Sequence, residues 1–181
     1  MDNIANQATL LYNNMTTNSN TVTTQILSLY DLTATKEALL DTYTPNQTIT
    51  YVTRVENTGS ASLYNLTVVD DLAKGLTQYV DNSVEGYLNG TPIEVNVQIT
   101  NNTVIFTIDN VINPNDNVLI IFETTTPTTR PDVLTNTQTI TANGGSTTGP
   151  IVAVTPNPSA TVTLANYVSL DITKSANKAS I

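Results

Sequence analysis

Residues 48–59, TITYVTRVENTG, decide the fold class, because apolar and polar residues alternate from Thr48 to Val55 before a break at Asn57-Thr-Gly59. Such alternation places one face of a strand on a core and the other toward solvent. Further strand-like runs follow at 63–69, 78–80, 84–88, 93–99 and 104–108, and 118–123 is a nearly continuous apolar run of the kind expected on a central strand. Asn89-Gly90 between two of them is a strong hairpin signal. These closely spaced strands predict an all-β, antiparallel sandwich, with 34–40 as the only short helical candidate.

The composition agrees with this fold class and excludes several functions. The 181 residues include 35 Thr and 23 Asn, which favour strands and turns, and the net charge is −9. There is no His, Cys or Trp. A chain without His and Cys cannot build a His-based catalytic triad, a zinc finger, a haem or iron–sulfur site, or a disulfide. Its six Lys and Arg residues are too few for a nucleic-acid surface. We therefore expect no enzyme, no cofactor and no nucleic-acid partner.

The two ends of the chain resemble parts of its middle. Asn6–Thr9 (NQAT) is similar to Asn136–Thr139 (NTQT), and each is followed by a polar turn and an alternating run. LTATK, ending at Lys36, is similar to LDITK, ending at Lys174. The repeat predicts a complete domain at 29–166, a hairpin at 1–28 from the end of another domain, and an opening strand at 167–181. Chance similarity between Thr-rich strands is the alternative.

Four segments together resemble one family of bacterial surface repeats, known as domain of unknown function eleven: 50–59 (TYVTRVENTG), 63–72 (LYNLTVVDDL), 74–76 (KGL) and 134–141 (LTNTQTIT). Ala73-Lys-Gly75 departs from the Pro-containing turn that is usual there. The resemblance implies an Ig-like sandwich of the kind strung in tandem on cell-envelope and spore-surface proteins. It also implies an extracellular or spore-surface location, although no signal peptide is visible in the chain.

Lys36, Asp70 and Asn136 are the strongest candidate site. In related pilin and adhesin sandwiches, a first-strand Lys condenses with a last-strand Asn beside an acid, which gives an isopeptide bond. Burial favours the neutral forms of an amine and a carboxyl group, so that the amine can attack and the acid can donate to the amide carbonyl. The first and last strands can be neighbours in such a fold. The alternative is an edge lysine that discourages strand pairing and an Asp that starts a turn.

The repeat also predicts how copies meet. Lys174 and Asn6 are the counterparts of Lys36 and Asn136 at opposite ends of the chain, which suggests a contact or a covalent link between subunits. Strand complementation of this kind would give a head-to-tail homopolymer, with other surface repeat proteins as further partners. A cut tandem array is the alternative. A fibre subunit is the first functional hypothesis, an adhesin-type binding module the second, and an accessory domain of an enzyme the third.

Two other carboxylate groups have weaker interpretations. Asp109 and Asp116, with the Asn residues between them, offer oxygen ligands for Ca²⁺, but their spacing matches no known loop, and an Asx-rich turn is the simpler interpretation. Asp70 and Asp71 are adjacent on a strand and therefore point to opposite faces, which excludes a glycosidase pair. The sequence contains no apolar run long enough to span a membrane.

Overall fold

The computed structural model describes residues 2–26 and 29–165, and this part of the chain is all-β. None of its residues forms a helix that could cross a bilayer. Its strands are β1 Asp2–Asn6, β2 Thr9–Tyr12, β3 Met15–Asn18, β4 Val22–Ile26, β5 Leu32–Ala38, β6 Thr42–Tyr43, β7 Thr48–Asn57, β8 Leu63–Asp71, β9 Gln78–Tyr79, β10 Glu85–Leu88, β11 Thr91–Ile93, β12 Asn96–Thr100, β13 Thr103–Ile108, β14 Asn117–Thr125, β15 Val133–Gly144, β16 Ile151–Ala153 and β17 Ser159–Leu164.

Two sheets enclose the core. The first has the order β11-β10-β14-β7-β5, with β9 beside β14, and the second has the order β12-β13-β8-β15-β17-β6, with β16 beside β15. All pairs are antiparallel except β17 with β6. Burial alternates along the long strands: in β14, for example, every second residue is buried. The inward side chains make one apolar cluster that includes Ile49, Tyr51, Val55, Leu66, Val68, Phe106, Ile108, Ile120, Phe122, Leu134 and Ile140.

The hairpin prediction at Asn89-Gly90 is confirmed. Leu88 pairs with Thr91 across the turn, and both turn residues have positive φ, 50° at Asn89 and 81° at Gly90. This is the backbone that a two-residue hairpin of matching twist requires, and Asn and Gly adopt it at the lowest cost.

Two local predictions are wrong. Residues 93–99 do not form one strand, because Thr91–Ile93 lies in the first sheet and Asn96–Thr100 in the second. The chain crosses between the sheets at 94–95. Residues 34–40 do not form a helix, because β5 pairs with β7 from Leu32 to Ala38. Pairing along this edge outweighs the local preference for helix.

The N-terminal segment, β1 to β4, forms two strand pairs of its own. β1 pairs with β4 and β2 pairs with β3, and neither pair joins the two large sheets. Its large apolar side chains are exposed, with Tyr12 at 71% and Met15 at 76%. A two-stranded hairpin that buries so little apolar surface is marginal in water. The predicted division at 1–28 stays a prediction, and the predicted strand at 167–181 lies outside the described residues.

Candidate functional site

The structure brings Lys36, Asp70 and Asn136 together in the interior. Lys36 lies on β5 of the first sheet, and Asp70 and Asn136 lie on β8 and β15 of the second. Each occupies an inward position of an alternating strand, with exposures of 6%, 0% and 1%. Because charged and amide side chains are rarely buried without partners, three on one layer indicate a built polar site.

One carboxylate oxygen is the centre of this site. Asp70 Oδ2 lies 2.7 Å from Lys36 Nζ, 3.3 Å from Asn136 Nδ2 and 2.9 Å from Gln138 Nε2. All three nitrogen atoms donate to the same oxygen. The ion pair is fully enclosed, since neither side chain is exposed to solvent.

Gln138 and Thr53 are members of the site that the sequence interpretation missed. The Thr53 hydroxyl donates to Gln138 Oε1 at 2.7 Å, and both residues are buried. This contact turns the amide nitrogen of Gln138 toward Asp70. A signal was available, because Gln138 is two residues beyond Asn136 on an alternating strand and therefore shares its face.

Aromatic rings form the rest of the surroundings. Lys36 Nζ lies 4.9 Å from the ring centroid of Tyr51 and 5.2 Å from that of Phe122. The two rings stack with centroids 5.6 Å apart. Desolvation by burial lowers the pKa of Lys36 to about 8, against the opposing effect of Asp70. Burial also raises the pKa of Tyr51 to about 12, with the Asp70 charge acting in the same direction.

The orientation of Asn136 differs from the expected one. The acid was expected to face the amide carbonyl, but Asp70 Oδ2 faces the amide nitrogen. Asn136 Oδ1 is buried without a hydrogen-bond partner, as are Asp70 Oδ1 and the Tyr51 hydroxyl.

Two further expectations about this site need correction. The first and last strands are not neighbours in one sheet, because β5 bonds to β7 while β15 lies between β8 and β17. Lys36 and Asn136 instead face each other from opposite sheets. Although β5 is an edge strand, Lys36 points into the core, and Asp70 is a buried strand residue, so the edge-lysine and turn interpretations are wrong.

The remaining candidates do not join this site. Asp116 accepts from the Asn113 backbone and from Asn89, whereas Asp109 accepts from Asn96. Among the described residues, no three His, Cys, Asp or Glu side chains are grouped for a metal ion. Asn6 is an exposed residue at the end of β1, and Lys174 lies outside the described residues.

Adjacent carboxylates behave differently, as the alternation predicts. Asp70 is buried, whereas Asp71 lies on the outer face and contacts Lys74 Nζ at 3.0 Å. The Lys74 hydrogen bond lowers the pKa of Asp71. These two carboxylates therefore do not face one cleft.

Comparison with solved structures identifies the fold as that of Ig-like pilin and adhesin domains. The chain is similar to BcpA, the major pilin subunit of Bacillus cereus, with 13% identity and a TM-score of 0.54 over 88% of this chain and 47% of that one. It is similar to the major pilin SpaD of Corynebacterium diphtheriae, with 16% identity and a TM-score of 0.55 over 71% of this chain and 33% of that one. A third is the collagen-binding subdomain of the Enterococcus faecalis surface protein ACE, with 9% identity and a TM-score of 0.51 over 77% and 99%.

The likeness is one of fold. No family model matches the chain, and no curated protein matches its sequence. The chain spans about half the length of the BcpA chain and about a third of the length of the SpaD chain. The resemblance to the surface repeat family therefore stays a prediction.

Proposed function

We propose that this chain is a structural subunit of an extracellular or spore-surface fibre, whose domain closes itself with an amide bond between Lys36 and Asn136. The observation that supports the bond is the enclosed contact of Asp70 Oδ2 with both nitrogen atoms that must exchange protons, 2.7 Å to Lys36 Nζ and 3.3 Å to Asn136 Nδ2. A buried ion pair is costly, so its presence in a core asks for a reason beyond stability.

The first step makes the amine nucleophilic. A proton moves from Lys36 Nζ to Asp70 Oδ2 along their short contact, which leaves two neutral groups. An apolar interior favours the neutral pair over the charged one more than water does. Burial lowers the pKa of Lys36 to about 8, which likewise favours the neutral amine.

The second step forms the bond. The Lys36 lone pair adds to Cγ of Asn136, the C–Nδ2 bond breaks, and a proton delivered through Asp70 Oδ2 completes ammonia as the leaving group. Nζ loses two protons in all: one leaves with ammonia and the other stays on Asp70. The site ends neutral, with one amide in place of a buried ion pair, and needs no oxidant, metal or cofactor.

Assembly is proposed to use the N-terminal hairpin. Residues 2–26 pair only among themselves within the described part of the chain, and their apolar side chains Ile4, Leu10 and Val22 are more than half exposed. Docking this hairpin on a second copy would bury that surface and extend subunits head to tail by strand complementation. The partner is therefore another copy of this chain.

Intact mass of the purified protein tests the bond. We expect a mass that is lower by one ammonia than the sequence requires, and peptide mapping that joins Lys36 to Asn136. Asp70→Asn should restore the full mass, because the amide cannot take the Nζ proton. Asp71→Asn, the neighbour on the outer face, is the matched control and should react like the wild type. A wild-type protein of full mass would contradict the bond.

A further inference from the structure

Unpartnered polar atoms are concentrated at the proposed bond. Among the described residues, six buried side-chain oxygen atoms lack a hydrogen-bond partner: Tyr51 Oη, Asp70 Oδ1, Thr77 Oγ1, Tyr79 Oη, Thr124 Oγ1 and Asn136 Oδ1. Three of them, on Tyr51, Asp70 and Asn136, belong to this one cluster. A buried polar atom without a partner destabilises the folded state, so three in one place suggest a function.

Asp70 is already occupied by the nitrogen chemistry. Its Oδ2 contacts the attacking nitrogen of Lys36 and the leaving nitrogen of Asn136. The Gln138 amide, fixed by Thr53, donates to the same oxygen and holds the carboxylate in this orientation. When Nζ adds to Cγ of Asn136, negative charge develops on Asn136 Oδ1, where no donor is placed in the ground state.

We propose that the Tyr51 hydroxyl is the donor that stabilises this oxyanion during amide formation. The proposal rests on the Lys36–Asn136 bond proposed above and assigns a new role to Tyr51. In it, Tyr51 forms its hydrogen bond only as the carbonyl oxygen becomes charged. A donor that is unsatisfied before the reaction and satisfied in the transition state accelerates the chemical step itself.

The placement of Tyr51 supports this role. It lies at an inward position of β7 and is fully buried, and Lys36 Nζ lies 4.9 Å from its ring. Since the pKa of Tyr51 is about 12, the hydroxyl keeps its proton and remains a donor throughout the physiological range.

Tyr51→Phe tests the proposal, and Tyr79→Phe is its matched control. Tyr79 also has a buried hydroxyl without a partner and also contacts an aromatic ring, that of Phe106, but it is not part of the cluster. Each chain would be synthesised in a cell-free reaction, translation stopped, and aliquots quenched over time for intact mass. We expect amide formation to slow about 10²–10³-fold in Tyr51→Phe, the range seen when an oxyanion donor is removed. Tyr79→Phe should react at the wild-type rate.

A second measurement separates this role from a structural one. Both Phe substitutions would also be placed in a Lys36→Met background, where no bond can form, and their unfolding free energies compared. We expect the two to be similar, so that the rate difference cannot come from folding. A wild-type rate in Tyr51→Phe would overturn the role of Tyr51 alone. A wild-type chain that never loses ammonia would overturn the bond and this inference together.

Discussion

Asn136→Ala should remove the proposed amide bond while leaving the Lys36–Asp70 pair intact, so that no buried charge loses its partner. Lys36 and Asn136 are one hundred positions apart. In the chain-entropy description, a cross-link that closes a loop of about 100 residues stabilises a protein by about 4.7 kcal/mol. At about 3 °C per kcal/mol for a chain of this size, the expected fall in Tm is about 14 °C.

The assay is thermal and denaturant unfolding, both followed by tyrosine fluorescence, because the chain has eight Tyr and no Trp. Asn143→Ala is the matched control: it lies on the same strand, and its amide makes one hydrogen bond, of 3.1 Å, to the Gly149 carbonyl. It should cost about 1 kcal/mol. On a denaturing gel, the heated wild type should also migrate faster than Asn136→Ala, because the closed loop limits its expansion. Equal losses in the two variants, with equal gel mobility, would refute the cross-link.

Three further predictions concern assembly, pH and packing. Deleting residues 1–28 should leave a folded monomer and abolish fibres in negative-stain electron microscopy, because no residue of the core cluster, as far as the chain is described, comes from the hairpin. Fibres of the deleted chain would contradict the role of the hairpin. Between about pH 6 and pH 8 the rate of amide formation should change little, because the Nζ proton passes to Asp70 rather than to solvent; above pH 8 the rate should fall, because the proton shared by the pair is lost. Quenched mass measurements that show a tenfold rise in rate per pH unit up to 8 would mean that solvent takes the proton instead. Gly144→Ala should lower the unfolding free energy by about 1–3 kcal/mol, because the new Cβ would lie 2.6 Å from the Tyr30 ring. In a Tyr30→Ala background the same substitution should cost much less; if the losses of the two substitutions simply add in the double mutant, this packing is contradicted.

The alternating segments were sufficient to predict the sandwich, because period-two burial is a local property of each strand. Thr48–Asn57 and Asn117–Thr125 lie within or next to the predicted runs, and they pair with each other from Thr48 to Glu56. The alternation of 93–99 could not show that the chain changes sheet, since the same pattern fits either sheet. Where the chain changes sheet, at 94–95, it packs tightly against β10. A Cβ at Gly86 would lie 2.3 Å from Val95, so β10 has room only for Gly at this position.

The site was predictable only in part. Resemblance to related domains pointed to Lys36, Asp70 and Asn136, and the structure places both Lys36 and Asn136 against Asp70, but their chemistry stays a prediction. Tyr51 and Thr53 were hidden, because an inward Tyr or Thr on an apolar strand looks like ordinary core packing. The direction in which the Asn136 amide points was also beyond the sequence. It depends on Asp70 Oδ2, which Lys36 and Gln138 hold in place from two different strands.

The position of the proposed bond also explains why such chemistry suits a fibre. Lys36 is the fifth residue of β5, and Asn136 lies on β15, which is followed by β16 and β17 within the part of the chain that the structure describes. Tension applied to the two ends of the domain would therefore reach the amide bond before it reached β7, β8 or β14. Without the bond, the same tension would peel β5 away from β7, resisted by the backbone hydrogen bonds of one edge and by the Lys36–Asp70 ion pair. A covalent tie at this point shields the residues between 36 and 136 from extension, so a pulled wild-type domain should lengthen less than Asn136→Ala by the contour of that segment, about 3.3–3.6 Å for each residue it contains.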